Sequence, residues 1–201
     1  MPRVPDAYMK ARRSEILTAA ARCFARAGYR KTSMAGIAAE AGLSAGALYR
    51  YFDTKESLFQ ALTGSARETN AALWARAGAN GGQGARLHSF VNGYFDMVGD
   101  PECRPSLALD LRLRAEALDS PVVRRELRTA YQDQLSEMAK QLRGGGKDRS
   151  GTAEARARML IGLLNEAGVQ ALLIPDFDLK GYRKAVLRLV DSWTSARPPR
   201  R

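Results

Sequence analysis

The segment Ile37 to Phe52, IAAEAGLSAGALYRYF, ends in Tyr49-Arg50-Tyr51. Two phenolic hydroxyls flank the one long cation of an otherwise small and apolar run. Such groups donate hydrogen bonds to anionic oxygens and to base edges, and an arginine does so in a fixed fork. Catalytic chemistry finds no comparable constellation. The chain has a single histidine, His88, no metal-ligand spacing, no nucleophile elbow and no paired carboxylates, so neither an enzyme nor a bound metal or cofactor is expected. Cys23 and Cys103 match no zinc or disulfide framework. Cys23 sits on an apolar helical face, as a small buried hydrophobe would.

Charge points the same way as the donors. The 201 residues carry a formal net charge of +11, which favours polyanionic partners. Up to residue 55 there are ten cations, from Arg3 through Lys10, Arg12 and Arg13 to Arg50 and Lys55, and only four acids, Asp6, Glu15, Glu40 and Asp53. More than half of the excess therefore lies in about the first quarter of the chain. The chain shows no signal segment and no apolar run of the ~18 residues a membrane span needs, so a cytoplasmic protein without a membrane partner is expected.

Nearly every periodic stretch is helical. Ile16, Leu17, Ala20, Cys23, Phe24 and Ala27 form one stripe of a helix over 9–27, which Gly28 stops. A short helix over 33–41 follows, capped by Thr32 or Ser33. Gly42-Leu43-Ser44 makes a turn, and Ser44 caps a third helix to about Tyr51. Asp53 or Thr54 opens a long fourth helix toward Ala77. Further helices are expected over 85–98, 105–117, 121–143, 152–173 and 179–194, with Pro105 and Pro121 at two of the starts. The glycine-rich stretches GANGGQG (78–84) and GGGKDRSG (144–151) read as connections, since neither has the context of a phosphate-binding loop. Runs with strand periodicity are absent. The fold class is all-α, with about nine helices: an N-terminal three-helix helix-turn-helix domain over 1–53 and a larger helical domain over 54–201.

A helix-turn-helix needs a small residue where its two helices cross, a residue tolerant of positive φ in the turn, and apolar contacts between the helices. Ala38, Gly42, and the group Ile37, Ala41, Leu43 and Leu48 meet these demands. Beyond that, GLSAGALYRYFDTKESLF (42–59), with ILTAAARCFARAGYRKTSMAGIAAEA (16–41) before it, resembles the DNA-binding segment of the TetR family of bacterial transcriptional regulators. The shared succession is an apolar helix with a phenylalanine, a Gly-aromatic stop, Thr/Ser before the second helix, then Ile-Ala, Ala-Gly, Leu-Tyr, Tyr-Phe and Lys-Glu-x-Leu. It covers about fifty residues. The rest of the chain resembles the family only in length and helix rhythm.

The resemblance implies that the third helix lies in the major groove of double-stranded DNA. Thr32, Ser33, Ser44, Ala45, Gly46, Tyr49, Arg50, Tyr51 and Lys55 are then the candidate DNA contacts. Ser44 and the amides beside it meet a phosphate, Gly46 admits the sugar-phosphate wall, and the tyrosines and Lys55 reach phosphates. Arg50 either reads a guanine or bridges to a phosphate. Ala45 stands where many relatives have a polar or basic residue, which leaves more of the specificity to Arg50, apolar contacts and DNA shape. The basic lead-in, Arg3 with Lys10, Arg12 and Arg13, either follows the DNA backbone or is a solvated tail.

The resemblance also implies a homodimer on a (pseudo)palindromic operator, because one small head holds few base contacts. The last two helices supply the interface, with Leu163, Ala167, Gln170, Tyr182, Val186, Leu189 and Trp193 as its candidates. The middle helices enclose a small hydrophobic or amphipathic effector. Candidates for its pocket are Trp74, Phe90, Tyr94, Met97, Leu107, Leu111, Tyr131 and Met138, with ordinary core packing as the competing role for each. Asn165, Glu166 and Gln170 are polar within an apolar run, placed either toward that pocket or across the dimer seam. The reading is a ligand-responsive regulator, most simply a repressor that the effector releases from DNA. An architectural DNA-binding protein indifferent to sequence, or a regulator of this fold without a ligand, are the rival readings.

Overall fold

A computed structural model describes residues 6–76, 83–143 and 152–194 of the chain. The described residues form nine α-helices, one 3-10 turn and no strand. None of these helices is long and apolar enough to cross a membrane. The helices are α1 (Asp6–Lys31), α2 (Met34–Glu40), α3 (Ala45–Tyr49), α4 (Lys55–Arg76), α5 (Gln83–Gly99), α6 (Arg104–Glu116), α7 (Pro121–Leu142), α8 (Thr152–Leu173) and α9 (Leu179–Thr194). The 3-10 turn, Pro101–Cys103, precedes α6 and is capped by Asp100, whose side chain accepts from the Glu102 amide. Arg3, residues 78–82 of the first glycine-rich stretch, and all of the second lie outside the described residues, whereas Gln83 and Gly84 already open α5.

The helix ends follow local rules. Gly28 interrupts α1 at φ 81, ψ 166, and one further turn leads to Lys31. Ser33 caps α2 by accepting from the Gly36 amide at 3.0 Å, and Ser44 caps α3 by accepting from Ala47 at 3.2 Å. Between them Gly42, at φ 65, closes α2: its amide donates to Ala39 and that of Leu43 to Ala38. These two bonds are the 5→2 and 6→1 pair of a Schellman motif. Thr54 and Ser57 exchange hydrogen bonds at the start of α4, in the manner of a capping box.

The chain divides into two compact units. One comprises Met1–Arg67 with Ala108–Arg128, the other Glu68–Leu107 with Thr129–Arg201. In the first, Ile16, Phe24, Ile37, Leu48, Phe52 and Phe59 pack with Leu109, Leu113 and Val123. Phe24, Tyr29 and Phe59 form a ring cluster with centroid separations of 4.9–5.6 Å. The small helices α2 and α3 thus share a core with the second half of α6 and the start of α7. In the second unit the core runs through Leu87, Phe90, Phe95, Met138, Leu160, Ile161, Leu164 and Val190, with Trp74 stacked on Phe90 at 3.9 Å.

Candidate nucleic-acid interface

Helix α3 is five residues long, and its two sides differ sharply. Leu48 is fully buried and Phe52, just beyond the helix, is 3% exposed. Ser44, Ala45, Gly46, Tyr49 and Arg50 face outward, Tyr49 with 50% of its surface open. A Cβ built on Gly46 would meet nothing within 4 Å beyond its own helix among the described residues. Among the described residues, the Arg50 guanidinium makes no intramolecular hydrogen bond or ion pair. Ser33, at the start of α2, is also exposed. Tyr51 is half-buried against the core, and its carbonyl accepts from Arg13 Nη1 at 3.2 Å.

Two expected phosphate contacts are occupied within the chain. Thr32 is 6% exposed, and its hydroxyl donates to the Gly28 carbonyl at 2.7 Å and the Cys23 carbonyl at 3.3 Å. Lys55 Nζ donates to the carbonyls of Tyr29 and Thr32, both at 3.0 Å, and lies 4.6 Å above the Tyr29 ring. Both side chains close the end of α1, where carbonyls lack helical donors. Two cations of the basic lead-in are also engaged: Arg12 pairs with Glu15, and Arg13 donates to the Tyr51 carbonyl just beyond α3. Arg22 and Arg26 both hold Glu40, at 2.8 and 3.1 Å, tying α1 to the end of α2. Their hydrogen bonds keep the Glu40 carboxyl below its ordinary range. Burial pushes the Cys23 thiol up, which suits packing rather than reactivity.

Residues that sequence reasoning missed lie on α6. Glu116 accepts from the Tyr29 and Arg30 amides, and Arg112 donates to the Arg26 carbonyl at 2.7 Å. Separations of more than eighty residues leave no local signal for such contacts.

The remaining candidates scatter. Trp74, Phe90 and Met138 are buried in the second unit, with Leu107 also buried there. Tyr94, Met97, Tyr131 and Asn165 are half-buried in it. Leu111 belongs to the first unit instead. Ala167 and Val186, expected at a dimer seam, are sealed in the second unit's own core at 0% and 3% exposure. Leu163, Gln170, Tyr182, Leu189 and Trp193 are half-buried, while Glu166 is exposed and accepts from Gln170 at 2.9 Å. Tyr182 donates to the Leu163 carbonyl, and Arg156 lies over Trp193. The open apolar surface of α8 is carried by Met159 at 56% and Leu173 at 67%, continued by Ile174 at 48%.

The family model "Bacterial regulatory proteins, tetR family" matches residues 16–62, from within α1 through α2 and α3 into the start of α4. Through this segment the chain is similar to the TetR family. Over 81 residues it is 40% identical to an HTH-type transcriptional repressor of Mycobacterium tuberculosis, covering 40% of this chain and 43% of that protein. It is 36% identical over 113 residues to the HTH-type transcriptional repressor AcnR of Corynebacterium diphtheriae, covering 56% of this chain and 54% of the other. The chain thus spans about half the length of these curated relatives. A solved TetR-family transcriptional regulator from Streptomyces coelicolor shares the fold, with a TM-score of 0.71 at 24% identity over 90% of this chain and 93% of that one.

Proposed function

We propose that this chain is a sequence-specific transcriptional regulator of the TetR family, acting as a repressor that binds a (pseudo)palindromic operator as a homodimer. The observation that carries this reading is the outward face of α3. Its first turn is built from Ala45 and Gly46 with open space above Gly46, and its end presents Tyr49 and Arg50. A short first turn without bulk admits a sugar-phosphate wall, and the end then supplies a phenol and a free guanidinium to phosphates and base edges. Ser33 and Ser44 place hydroxyls and helix-start amides alongside.

One such head makes few base contacts, so useful specificity needs two heads one helical turn of DNA apart, roughly 34–36 Å. The exposed Met159, Leu173 and Ile174 support self-association through α8. The aromatic and aliphatic second unit supports an effector that is hydrophobic or amphipathic, and its binding releases the operator by shifting the population of conformers.

The test begins with selection of a duplex from random-sequence DNA by the full chain. Salt-titrated mobility shifts then compare the selected duplex with random DNA. Tight, palindromic selection with a large affinity ratio is expected, and equal affinity for both would sink the reading in favour of an architectural protein.

A further inference from the structure

We propose that Glu116, on α6, is a positioning residue of the DNA-reading head: its carboxylate fixes the bend at Gly28 near the end of α1 and so the orientation of α2 and α3 that follow. The proposal rests on the DNA-binding reading of α3 given above.

The bend starts at Gly28, whose φ of 81 and ψ of 166 end the regular course of α1. The next two amides, Tyr29 and Arg30, have lost their helical acceptors at that break. Both donate to Glu116, Tyr29 to Oε2 at 2.6 Å and Arg30 to Oε1 at 2.5 Å. Arg112, one turn earlier on α6, takes the Arg26 carbonyl from the other direction. Lys55 meanwhile takes the carbonyls of Tyr29 and Thr32. One short segment therefore has its donors held by an anion and its acceptors by a cation. Bonds to charged groups are shorter and stronger than neutral ones, so the segment has little freedom left.

Position matters here because α2 has seven residues and α3 five. Helices this short do not hold an orientation by themselves and take it from what they are anchored to. Ser33, the cap of α2, directly follows the clamped segment. The fit is also close: a Cβ on Gly28 would lie 2.9 Å from Glu116 Oε2.

The sign of the effect on DNA binding separates positioning from charge. Glu116→Gln removes one negative charge from a basic protein, so electrostatics alone would tighten binding to every DNA. Positioning requires the reverse for the selected duplex. Gln keeps one oxygen acceptor but turns the other donor-like, against an amide. We expect affinity for the selected duplex to fall on the order of tenfold, with affinity for random DNA unchanged or raised. Hydrogen exchange of the Tyr29 and Arg30 amides should quicken in the same variant. Arg112→Met, which leaves the carboxylate in place, should shift the affinity ratio in the same direction by less, and stands in should the Gln variant fail to fold. Equal or tighter binding of the selected duplex by the variants, or unchanged exchange at Tyr29 and Arg30, overturns the proposal. Loss of selectivity in the unmodified chain would instead overturn the regulator reading, and amide exchange would then decide the role of Glu116.

Discussion

Arg13 lies over the face of Phe52, its guanidinium carbon 4.1 Å from the ring centroid, and donates through Nη1 to the Tyr51 carbonyl at 3.2 Å. A cation from α1 thus seals the turn that follows α3. It satisfies a carbonyl at a helix end and stacks on the residue that anchors α3 in the core. Arg13→Met keeps the apolar stem and removes both interactions. Because the side chain is exposed, a loss of about 1 kcal/mol is expected in urea unfolding. The salt dependence of DNA binding should stay as it was, since no phosphate contact is removed. A slope lowered by about one would place Arg13 on the DNA instead.

Lys55 admits a similar test with a larger expected effect. Its ammonium serves the Tyr29 and Thr32 carbonyls and covers the Tyr29 ring, so Lys55→Met leaves acceptors at the end of α1 without a donor. Unfolding free energy should fall by about 1–2 kcal/mol. Binding to the selected duplex weakens with it, but the dependence of log K on log salt keeps its slope, which mobility shifts at several salt concentrations measure. A shallower slope with unchanged stability would return Lys55 to the phosphate backbone.

Two glycines of the head have positive φ for different reasons, and alanine separates them. Gly42 sits at φ 65 with no described residue beyond its chain neighbours within 4 Å of a Cβ, so Gly42→Ala carries the backbone penalty alone, about 1 kcal/mol. Gly28, at φ 81 and ψ 166, occupies a region nearly closed to other residues, and its Cβ would also press on Glu116. Gly28→Ala should therefore cost roughly 3 kcal/mol. Denaturant midpoints in reverse order would show that the bend at Gly28 yields more easily than the Schellman turn.

The contrast between these residues explains what a reader of the sequence alone could find. Ser33, Ser44 and Gly42 act within four residues of themselves, so spacing reveals them. Helix α8 spans Thr152–Leu173, the range its periodicity marks. Lys55 was legible as a cation at a helix start, yet its partners lie 23–26 residues back. Glu116 has no local signature at all, because its acceptors serve amides 86 and 87 residues away. Periodicity has a related blind spot in α8 and α9. It marks Ala167, Val186, Met159 and Leu173 alike as apolar, but only packing decides that the first two face their own core while the last two stay open.

The pairing of Glu40 with Arg22 and Arg26 gives the head a pH dependence of known sign. An acid at the end of α2 opposes the helix dipole, and the two arginines offset it. Since the folded carboxyl is harder to protonate than the unfolded one, this contribution is full above the ordinary glutamate range, near pH ~4.3. It disappears as pH falls through the lower, folded value. Unfolding midpoints of the unmodified chain should exceed those of Glu40→Gln at neutral pH and converge with them in acid. High salt should narrow the neutral gap, because the pair is exposed. A gap that persisted in strong acid would assign the effect to packing.

Gly46 offers the sharpest separation of folding from function. In an ordinary helix an alanine replacing glycine adds stability, by roughly 0.5–1 kcal/mol, because the unfolded chain loses freedom. Among the described residues, nothing beyond its own helix lies within 4 Å of the added methyl. Gly46→Ala should therefore raise or preserve the unfolding midpoint. On DNA the same methyl would stand on the outward first turn of α3, between Ala45 and Tyr49, where close approach to the backbone is expected. Affinity for the selected duplex should drop on the order of tenfold, with random-DNA affinity much less affected. A more stable protein that binds its site more weakly is the signature of a glycine kept for a partner outside the chain. Unchanged binding would mean that α3 meets DNA through another part of its surface.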